Sequence, residues 1–248
     1  MKFSIITTTY NSFKTIQYTI ESFLEQDWPE KEMILIDGSS KDGTLDIIKK
    51  YNCDNIHIMS EPDQGIYYAL NKGLDLITGD VFGILHSDDT FNNKNSMSQI
   101  ASALKTWEMV QGSIQFVDDH RTKKCRRFWR AEPRPTNGFK TGWMPSHTGF
   151  FVRKNILTEV GKFDTRYSIS SDYDWMIRAV ERKPDSLGTI NDVIVDMQIG
   201  GRSTKNLYSY IKHNIQCLKI RQRLLGSGFI DYAFIFKPLR KLRQFRFY

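Results

Sequence analysis

Two adjacent carboxylates offer the clearest chemistry in this sequence of 248 residues. Asp88 and Asp89 follow the apolar run 81–85 and precede a turn. Neighbouring carboxylates at the end of a strand repel each other unless a cation offsets their charge, and such hard oxygen ligands suit Mg²⁺ or Mn²⁺. A solvated turn or a helix cap is the alternative interpretation. The place of the pair in the fold has to decide between a metal site and a simple turn.

Other polar residues stand at the ends of predicted strands. Asp37 ends the run E-M-I-L-I-D and precedes a turn, where its carboxylate can accept a hydrogen bond from a ring N–H of a base or cap the next helix. Tyr10 follows the first strand and is placed either to stack on a base or to fill the core. Asp63 belongs to a loop that either covers the same edge or is an acidic surface loop.

The first ninety residues alternate between strands and helices. The predicted strands are 2–8, 32–37, 56–60 and 80–86, and the predicted helices are one with its N-cap at Ser12, 43–51 and 65–77. This order predicts an α/β fold with a parallel, doubly wound sheet. Ligands of such sheets bind at the carboxyl ends of the strands, and the polar clusters fall at those ends. Their position favours a functional site, including a metal site at the aspartate pair.

The regular alternation of strands and helices ends after residue 105. Strands are predicted at 109–118 and 125–130 around a basic turn, helices at 155–160 and 172–181, and a further strand at 193–198. Residues 205–225 are predicted to form an amphipathic helix. Its apolar stripe comprises Leu207, Tyr210, Ile211, Ile215 and Leu218.

The net charge of +7 is unevenly distributed. Residues 202–248 hold eleven Lys/Arg and one acid, and residues 121–140 hold eight and one. Basic segments favour phosphates, whether in a nucleotide, a lipid head group or nucleic acid. The sequence has no apolar run long enough to span a membrane and no signal-peptide pattern, so we expect a cytoplasmic protein. Its three cysteines predict neither disulfides nor a zinc site.

Several sequence motifs, in a fixed order along the chain, resemble those of a known protein family. T-T-Y-N, L-I-D-G-S-S-K-D-G-T, S-E-P-D-Q-G-I-Y-Y-A-L-N-K-G and H-S-D-D together resemble the inverting family-two glycosyltransferases of the GT-A fold. H-T-G-F-F, G-K-F-D and S-S-D-Y-D-W-M-I-R resemble the acceptor half of that family, so the likeness covers residues 3–202. It implies a mixed, mainly parallel sheet flanked by helices. The implied domain spans 1–203, with a nucleotide-sugar half (1–105) and an acceptor half (106–203), followed by a basic, amphipathic helical extension (204–248).

The resemblance also implies roles for single residues. Asp172 matches the general base, with Asp174 as a rival, and Asp89 matches the metal ligand, with Asp88 beside it. The donor nucleotide would contact Thr8, Tyr10, Asp37, Asp63 and Asp88. Three further residues are expected on the acceptor or diphosphate side, each with a purely structural alternative: His147, Trp143 and Arg202.

The implied reaction transfers a sugar from a nucleotide diphosphate sugar to a hydroxyl of a saccharide acceptor, with inversion and with Mn²⁺ or Mg²⁺. UDP is the expected nucleotide, while GDP and dTDP stay open, and the expected acceptor is a lipid-linked saccharide of polysaccharide or O-antigen biosynthesis. The alternatives are a sugar-phosphate nucleotidyltransferase and an inactive nucleotide- or glycan-binding protein. The loop T-T-T-Y-N-S lacks the Gly-rich, Arg-containing sequence typical of the former.

The basic segment 229–248 interleaves cations with aromatic residues, which suits an anionic membrane surface at the inner face of the cell membrane. The alternative is an arm that packs on its own domain or on a partner subunit, so a homo-oligomer stays open. The segment has no nucleic-acid recognition motif, and no nucleic-acid partner is expected.

Overall fold

The computed structural model describes residues 1–51, 53–200, 207–228, 233 and 244. Its first part confirms the predicted alternation of strands and helices. The elements are β1 (Phe3–Thr9), α1 (Ile16–Leu24), β2 (Lys31–Asp37), α2 (Thr44–Ile48), β3 (Ile56–Ser60), α3 (Ile66–Leu76) and β4 (Val81–Ile84).

The second part contains both predicted and unpredicted elements. It comprises β5 (Asp89–Phe91), α4 (Ser96–Ala103), β6 (Met109–Val117), β7 (Cys125–Trp129), β8 (Phe150–Arg153), α5 (Lys154–Val160), α6 (Ser171–Arg182), β9 (Leu187–Gln198) and α7 (Leu207–Leu225). The sequence interpretation did not include β5, α4 or β8. The strands β5 and β8 have only three and four residues, too few for a period of two to be visible.

One sheet organises the described residues, in the strand order β3-β2-β1-β4-β8-β6-β9-β5, with β7 beside β6. The pairs β1–β2, β1–β4, β2–β3 and β6–β9 are parallel. The short strand β8 runs antiparallel to both β4 and β6 and so joins the two halves of the sheet. A mixed, mainly parallel sheet, as the motifs implied, therefore brings β5 and β9 to the same end as the first strands.

The sheet separates two apolar layers. Ile6 and Phe82 belong to one layer, together with residues of α3 and α6, while Ile5 and Phe3 belong to the other, together with residues of α1 and α4. Successive side chains of a strand point to opposite faces, so a continuous apolar run such as that of β1 is expected where both faces are covered. This double burial makes the sheet a rigid base for the loops at its carboxyl end.

Two local predictions are wrong. The first helix begins at Ile16 rather than after Ser12, because residues 12–15 form a turn and the Ser12 hydroxyl contacts that of Ser87 at 2.8 Å. The predicted apolar stripe of α7 does not face the core: Ile211 and Ile215 are about half exposed, whereas Cys217 and Ile220 are buried.

The C-terminal segment is described only in part. The predicted boundary at residue 203 lies outside the described residues, as does Arg202. Within 229–248, Ala233 is buried, and the Gln244 carbonyl accepts a hydrogen bond of 3.0 Å from the Phe128 N–H of β7. At Gln244 the tail therefore packs on its own domain. No helix among the described residues is long and apolar enough to cross a membrane.

Glu32 joins the start of the sheet to the end of α3. Its buried carboxylate contacts Lys2 Nζ at 2.6 Å and accepts hydrogen bonds from the Ser4 hydroxyl and from the N–H and hydroxyl of Thr78. Burial by itself would raise the pKa of Glu32, but these bonds outweigh burial and lower the pKa to about 2. The folded protein thus binds the ionised form more strongly than the unfolded chain does.

We expect Glu32→Gln to lower the free energy of unfolding by roughly 2–3 kcal/mol at pH 7. A group with a depressed pKa contributes stability above its unfolded pKa and loses it as the pH falls through the folded pKa, here from about 4.5 to about 2. Urea unfolding of both proteins at pH 7 and at successively lower pH measures the difference. A difference that stayed constant with pH would contradict this assignment.

Candidate active site

A large cleft opens at the carboxyl ends of the parallel strands. Its wall combines residues from the β1–α1 loop, the β3–α3 loop, the β4–β5 turn and the N-terminus of α6. It therefore collects most of the residues that the sequence singled out: Thr8, Tyr10, Asp63, Asp88, Asp89, Trp143, His147 and Asp172.

Tyr10, Gly38 and Asp63 form one end of the cleft. Tyr10 is 52% exposed, as expected for a surface that receives a planar ligand. A Cβ atom at Gly38 would lie 3.3 Å from Tyr10 Cδ2 and 3.7 Å from Asp63 Oδ2, so glycine keeps a gap between these side chains. Asp63 Oδ1 contacts Lys72 Nζ at 2.5 Å, which fixes the carboxylate at the edge of the gap. The arrangement suits a flat heterocycle with a polar edge.

Asp37 lies under this end of the cleft rather than in its wall. Its carboxylate is fully buried and accepts hydrogen bonds from the N–H and hydroxyl of Ser40 and from the hydroxyl of Ser60. These bonds hold the turn that follows β2. The expected contact of Asp37 with a base stays a prediction.

The first two strand-end loops are tied to each other. Asn11 adopts a left-handed conformation with φ of 52°. Its backbone N–H donates to the Ser40 hydroxyl at 2.8 Å, and its side-chain oxygen accepts from the Lys41 N–H at 3.0 Å. Asn tolerates this conformation better than most residues. The bonds hold Tyr10 and Gly38 in a fixed relation before any ligand binds.

Asp88 lies in the turn that joins β4 to β5, and Asp89 is the first residue of β5. The Thr19 hydroxyl donates to the Asp89 carbonyl at 2.8 Å, and His120 Nε2 lies 2.8 Å from the Asp88 carbonyl. Since a carbonyl only accepts, His120 carries a proton on Nε2, and its Nδ1 can then accept from the Thr90 hydroxyl at 3.3 Å. The backbone of the aspartate pair is thus fixed from two sides.

The aspartate pair fits a divalent cation. Asp89 is 1% exposed, and its Oδ2 has no hydrogen-bond partner among the described residues. Burial, followed by the charge of Asp88, raises the pKa of Asp89 well above its usual range. A neighbouring cation would offset both effects. No group of three or more His, Cys, Asp or Glu side chains surrounds a metal position in the described part of the chain, so a cation here would need further oxygens from a ligand and water.

Asp172 lies in the first turn of α6 and is partly exposed to the cleft. The hydroxyl of the buried Tyr67 lies 2.9 Å from Asp172 Oδ1 and 2.6 Å from the Ile169 carbonyl. Burial, and then the charge of Asp172, raises the pKa of Tyr67 well above its ordinary value, so the phenol stays protonated as a donor. Asp172 is therefore oriented on one oxygen while the other faces His147.

Two histidines connect Asp172 to the first strand. His147 Nδ1 is 3.8 Å from Asp172 Oδ2, the rings of His147 and His86 are 5.3 Å apart, and His86 Nδ1 is 3.5 Å from the Thr8 hydroxyl. The row joins the predicted base, an acceptor-side histidine and a donor-side threonine. It forms a polar wall between the two halves of the cleft.

Burial bears on two alternatives from the sequence. Asp174 is fully buried and forms ion pairs with Arg178 and Arg223, which hold α6 in place and favour Asp172 as the expected base. Trp143 is 3% exposed, and its indole N–H donates to the Glu132 carbonyl at 2.9 Å. A stacking platform needs an open ring face, so we assign Trp143 to packing of the cleft wall.

Some residues of the cleft were missed in the sequence. In the sequence, Tyr67 resembles any core aromatic of a helix. Only its position in the first turn of α3, directly after a strand-end loop, indicates that it can reach the cleft. Side chains of β6, β7 and α7 join the wall through long-range contacts that have no local sequence signal. They include Phe116, Arg127, His213 and Asn214.

Comparison with known proteins agrees with this geometry. The pattern of Glycosyl transferase family 2 matches residues 4–165. A PGL/p-HBAD biosynthesis glycosyltransferase of Mycobacterium tuberculosis (strain ATCC 25618 / H37Rv) is 28% identical over 179 residues, which cover 71% of this chain and 68% of the relative. A dolichyl N-acetyl-alpha-D-glucosaminyl phosphate 3-beta-D-2,3-diacetamido-2,3-dideoxy-beta-D-glucuronosyltransferase of Methanococcus voltae is 26% identical over 253 residues, covering 94% and 77%.

Solved structures show the same fold. S. aureus TarS 1–349 in complex with UDP-GlcNAc superposes with a TM-score of 0.73 at 21% identity, over 94% of this chain and 69% of that one. The mannosyltransferase PcManGT from Pyrobaculum calidifontis, in complex with GDP-Man and Mn²⁺, gives 0.63 at 18% identity, over 98% and 69%. The fold is the GT-A fold that the motifs implied. With the family pattern covering most of the chain and the cleft built from its motifs, the chain belongs to glycosyl transferase family 2 and is a glycosyltransferase.

Proposed function

We propose that the cleft transfers a hexose from a nucleotide diphosphate sugar, with UDP as the expected nucleotide, to a saccharide hydroxyl with inversion at the anomeric carbon. The observation that carries the proposal is Asp172: a partly exposed carboxylate, oriented by Tyr67, in the same cleft as the aspartate pair. The relatives of this fold that were crystallised with UDP-GlcNAc and GDP-Man support a nucleotide-sugar donor.

The mechanism requires one base and no protein nucleophile. Asp172 accepts the proton of the acceptor hydroxyl while that oxygen bonds to the anomeric carbon, and the bond from this carbon to the diphosphate oxygen breaks. Attack from the face opposite the departing diphosphate inverts the anomeric centre, as in single displacements of glycosides. Tyr67 fixes the base, and His147 lines the same wall.

The negative charge of the departing diphosphate needs compensation. Asp89 and Asp88 would hold Mn²⁺ or Mg²⁺, which when bound supplies positive charge to the diphosphate oxygens. The unpartnered, buried Oδ2 of Asp89 supports this assignment. The remaining donor contacts would come from Thr8, Tyr10 and Asp63 along the wall described above.

We propose a lipid-linked saccharide as acceptor. The name of the Methanococcus voltae relative describes transfer to a dolichyl phosphate-linked sugar, which supports this class. The basic segment 229–248 would then bring the enzyme to an anionic membrane, although most of it lies outside the described residues. Binding to anionic liposomes that persisted after removal of 229–248 would contradict this part of the proposal.

A panel of nucleotide sugars tests the donor. A ligand that binds the folded protein raises its melting temperature, so UDP-, GDP- and dTDP-sugars are compared with and without Mn²⁺. We expect stabilisation by one nucleotide class, larger with Mn²⁺, and release of the corresponding nucleoside diphosphate once an acceptor is added. Stabilisation by a sugar phosphate and a nucleoside triphosphate, with pyrophosphate release, would instead favour a nucleotidyltransferase.

Tyr10→Ala should weaken nucleotide binding by about 10-fold, since stacking of a base on an aromatic ring contributes on the order of 1–3 kcal/mol. Tyr10→Phe retains the ring and should bind within about 2-fold of the unmodified protein on the same grounds. Titration calorimetry with the nucleoside diphosphate and Mn²⁺ measures both variants. Equal losses for Ala and Phe would assign the effect to the hydroxyl and reject stacking.

A further inference from the structure

The helix α7 holds the residues that lead into α6, whose first turn carries the proposed base, Asp172. The side-chain oxygen of Gln216 accepts hydrogen bonds of 3.2 Å from the backbone N–H groups of Ile169 and Ser170. The amide nitrogen of the same side chain donates to the Ser168 hydroxyl at 3.3 Å. One side chain of α7 thus binds three consecutive residues directly before α6.

The N-cap of α6 is also bound to α7. Ser170 occupies the N-cap position and is fully buried, but its side chain makes no capping bond to the described residues of its own helix. Its hydroxyl instead lies 2.9 Å from His213 Nδ1. An N-cap serine usually bonds the free N–H groups of its own helix, so this hydroxyl serves the contact between two helices. The helix α7 is therefore a direct partner of the helix end that carries the base.

The backbone of Ile169 connects this contact to the base. Its N–H is bound by Gln216, while its carbonyl lies 2.6 Å from the Tyr67 hydroxyl, which is also 2.9 Å from Asp172 Oδ1. A phenol has one proton, so the carbonyl and the carboxylate compete for it. The position of Ile169 therefore influences how Tyr67 orients Asp172, and Gln216 fixes that position from the other side of the peptide.

A separate set of contacts attaches α7 to the domain. Cys217 and Ile220 are buried, and Arg223 forms an ion pair with the buried Asp174 of α6. Because these contacts do not involve Gln216, a substitution at Gln216 should leave α7 in place. Its hydrogen bonds can therefore be removed without detaching the helix.

We propose that Gln216, together with His213, is a positioning residue for Asp172, which makes α7 part of the active site. This inference rests on the proposed function, because that function assigns the role of base to Asp172. The family pattern ends at residue 165, so the contact lies beyond the part of the chain that the pattern matches. A general base works only within hydrogen-bond reach of the proton that it accepts, and a displacement of about 1 Å can slow a reaction by about 100-fold.

Donor hydrolysis tests this role in the full chain. The probe is the nucleotide sugar that gives the largest thermal stabilisation in the panel above, with Mn²⁺, with the protein in excess and with water in place of the saccharide. Water, like an acceptor hydroxyl, must lose a proton to the base. Gln216→Met keeps the length of the side chain but removes its hydrogen-bonding groups, and it should slow release of the nucleoside diphosphate by about 10- to 100-fold. The affinity for the nucleoside diphosphate, measured by calorimetry, should not change.

The double variant separates positioning from a structural role. If Gln216 acts through Asp172, Gln216→Met should slow the residual hydrolysis of Asp172→Asn by less than about 2-fold, because residues that act as a unit have non-additive effects. A merely structural role would slow both proteins by the same factor. Ser170→Ala removes only the hydroxyl that contacts His213, and it gives a second test of the same non-additivity if Gln216→Met does not fold.

Three further variants complete the comparison. Gln216→Glu keeps an acceptor for the two backbone N–H groups and should lose less activity than Gln216→Met. Gln222→Met makes the same substitution elsewhere on α7 and should hydrolyse the donor like the unmodified protein. Glu32→Gln is expected to lower stability at the opposite end of the sheet, and it should also keep the full rate, which shows that lost stability alone does not slow hydrolysis.

Three results would overturn the inference: full hydrolysis by Gln216→Met, an equal loss in Gln222→Met, or the same factor of loss in the presence and absence of the Asp172 carboxylate. If Asp172→Asn itself hydrolysed the donor at the full rate, the base of the proposed function would be rejected, and this inference with it. The two failures are distinguishable, since the second is measured on the single Asp172 variant.

Discussion

Asp172→Asn should reduce sugar transfer by about 10²- to 10⁴-fold, the range expected for loss of a positioned general base. An amide has nearly the same shape as the carboxylate and keeps an oxygen to accept from Tyr67, but it cannot take the proton of the acceptor hydroxyl. The loss should fall on kcat, while the affinity for the nucleotide stays unchanged because no nucleotide contact is assigned to Asp172. Nucleoside diphosphate release at saturating donor and acceptor gives kcat, and calorimetry gives the nucleotide affinity.

The matched control for this substitution is Asp185→Asn, which removes one exposed carboxylate away from the cleft. It should transfer at the rate of the unmodified protein. If Asp172→Asn retained full transfer, Asp172 would not be the base. If it lost nucleotide binding in parallel with kcat, the carboxylate would act on the donor instead.

The second large effect is expected at Asp89. Asp89→Asn should remove most of the stabilisation that Mn²⁺ adds to nucleotide binding and lower kcat/KM by on the order of 100-fold or more. The same substitution should leave the melting temperature of the metal-free protein equal or higher, because it removes a carboxylate whose burial is not compensated. Losing function without losing stability would be the signature of a ligand site.

Thermal unfolding with and without Mn²⁺ and nucleoside diphosphate gives both quantities from one experiment. Asp54→Asn, which removes an exposed carboxylate, serves as the control and should respond to Mn²⁺ like the unmodified protein. A large fall in the metal-free melting temperature of Asp89→Asn would mean that the buried carboxylate has a structural role. An unchanged response to Mn²⁺ would place the cation elsewhere.

Local patterns predicted the first half of the fold because each element there is long enough to show its period. The runs that became β1 and β2 are buried on both faces, and their polar ends meet at one edge. The positions of Tyr10, Asp63 and the aspartate pair followed from that rule. The short strands β5 and β8 depend on partners far away in the chain, so no local pattern could reveal them.

The side-chain positions at the site have the same origin. The carboxylate of Asp37 accepts from the hydroxyls of Ser40 and Ser60, and the second of these comes from the next strand. The ring of Trp143 is buried by Phe139 and by the carbonyl of Glu132. The helix α7 has two apolar faces of similar hydrophobicity. The face that contains Cys217 and Ile220 is the one that is buried against the domain. Motif order identified the family, whereas side-chain orientation required the fold.

The pairing of β5 with β9 has a consequence for how the site is assembled during synthesis. Asp89 lies in the first half of the chain, but its strand is held by residues 195–197, which leave the ribosome about a hundred residues later. A nascent chain that ends before β9 already contains the polar ends of the first strands, yet it lacks the partner strand that fixes the metal carboxylate. The nucleotide wall can therefore form early, while competence to bind the cation should arrive only when synthesis has passed Gln198.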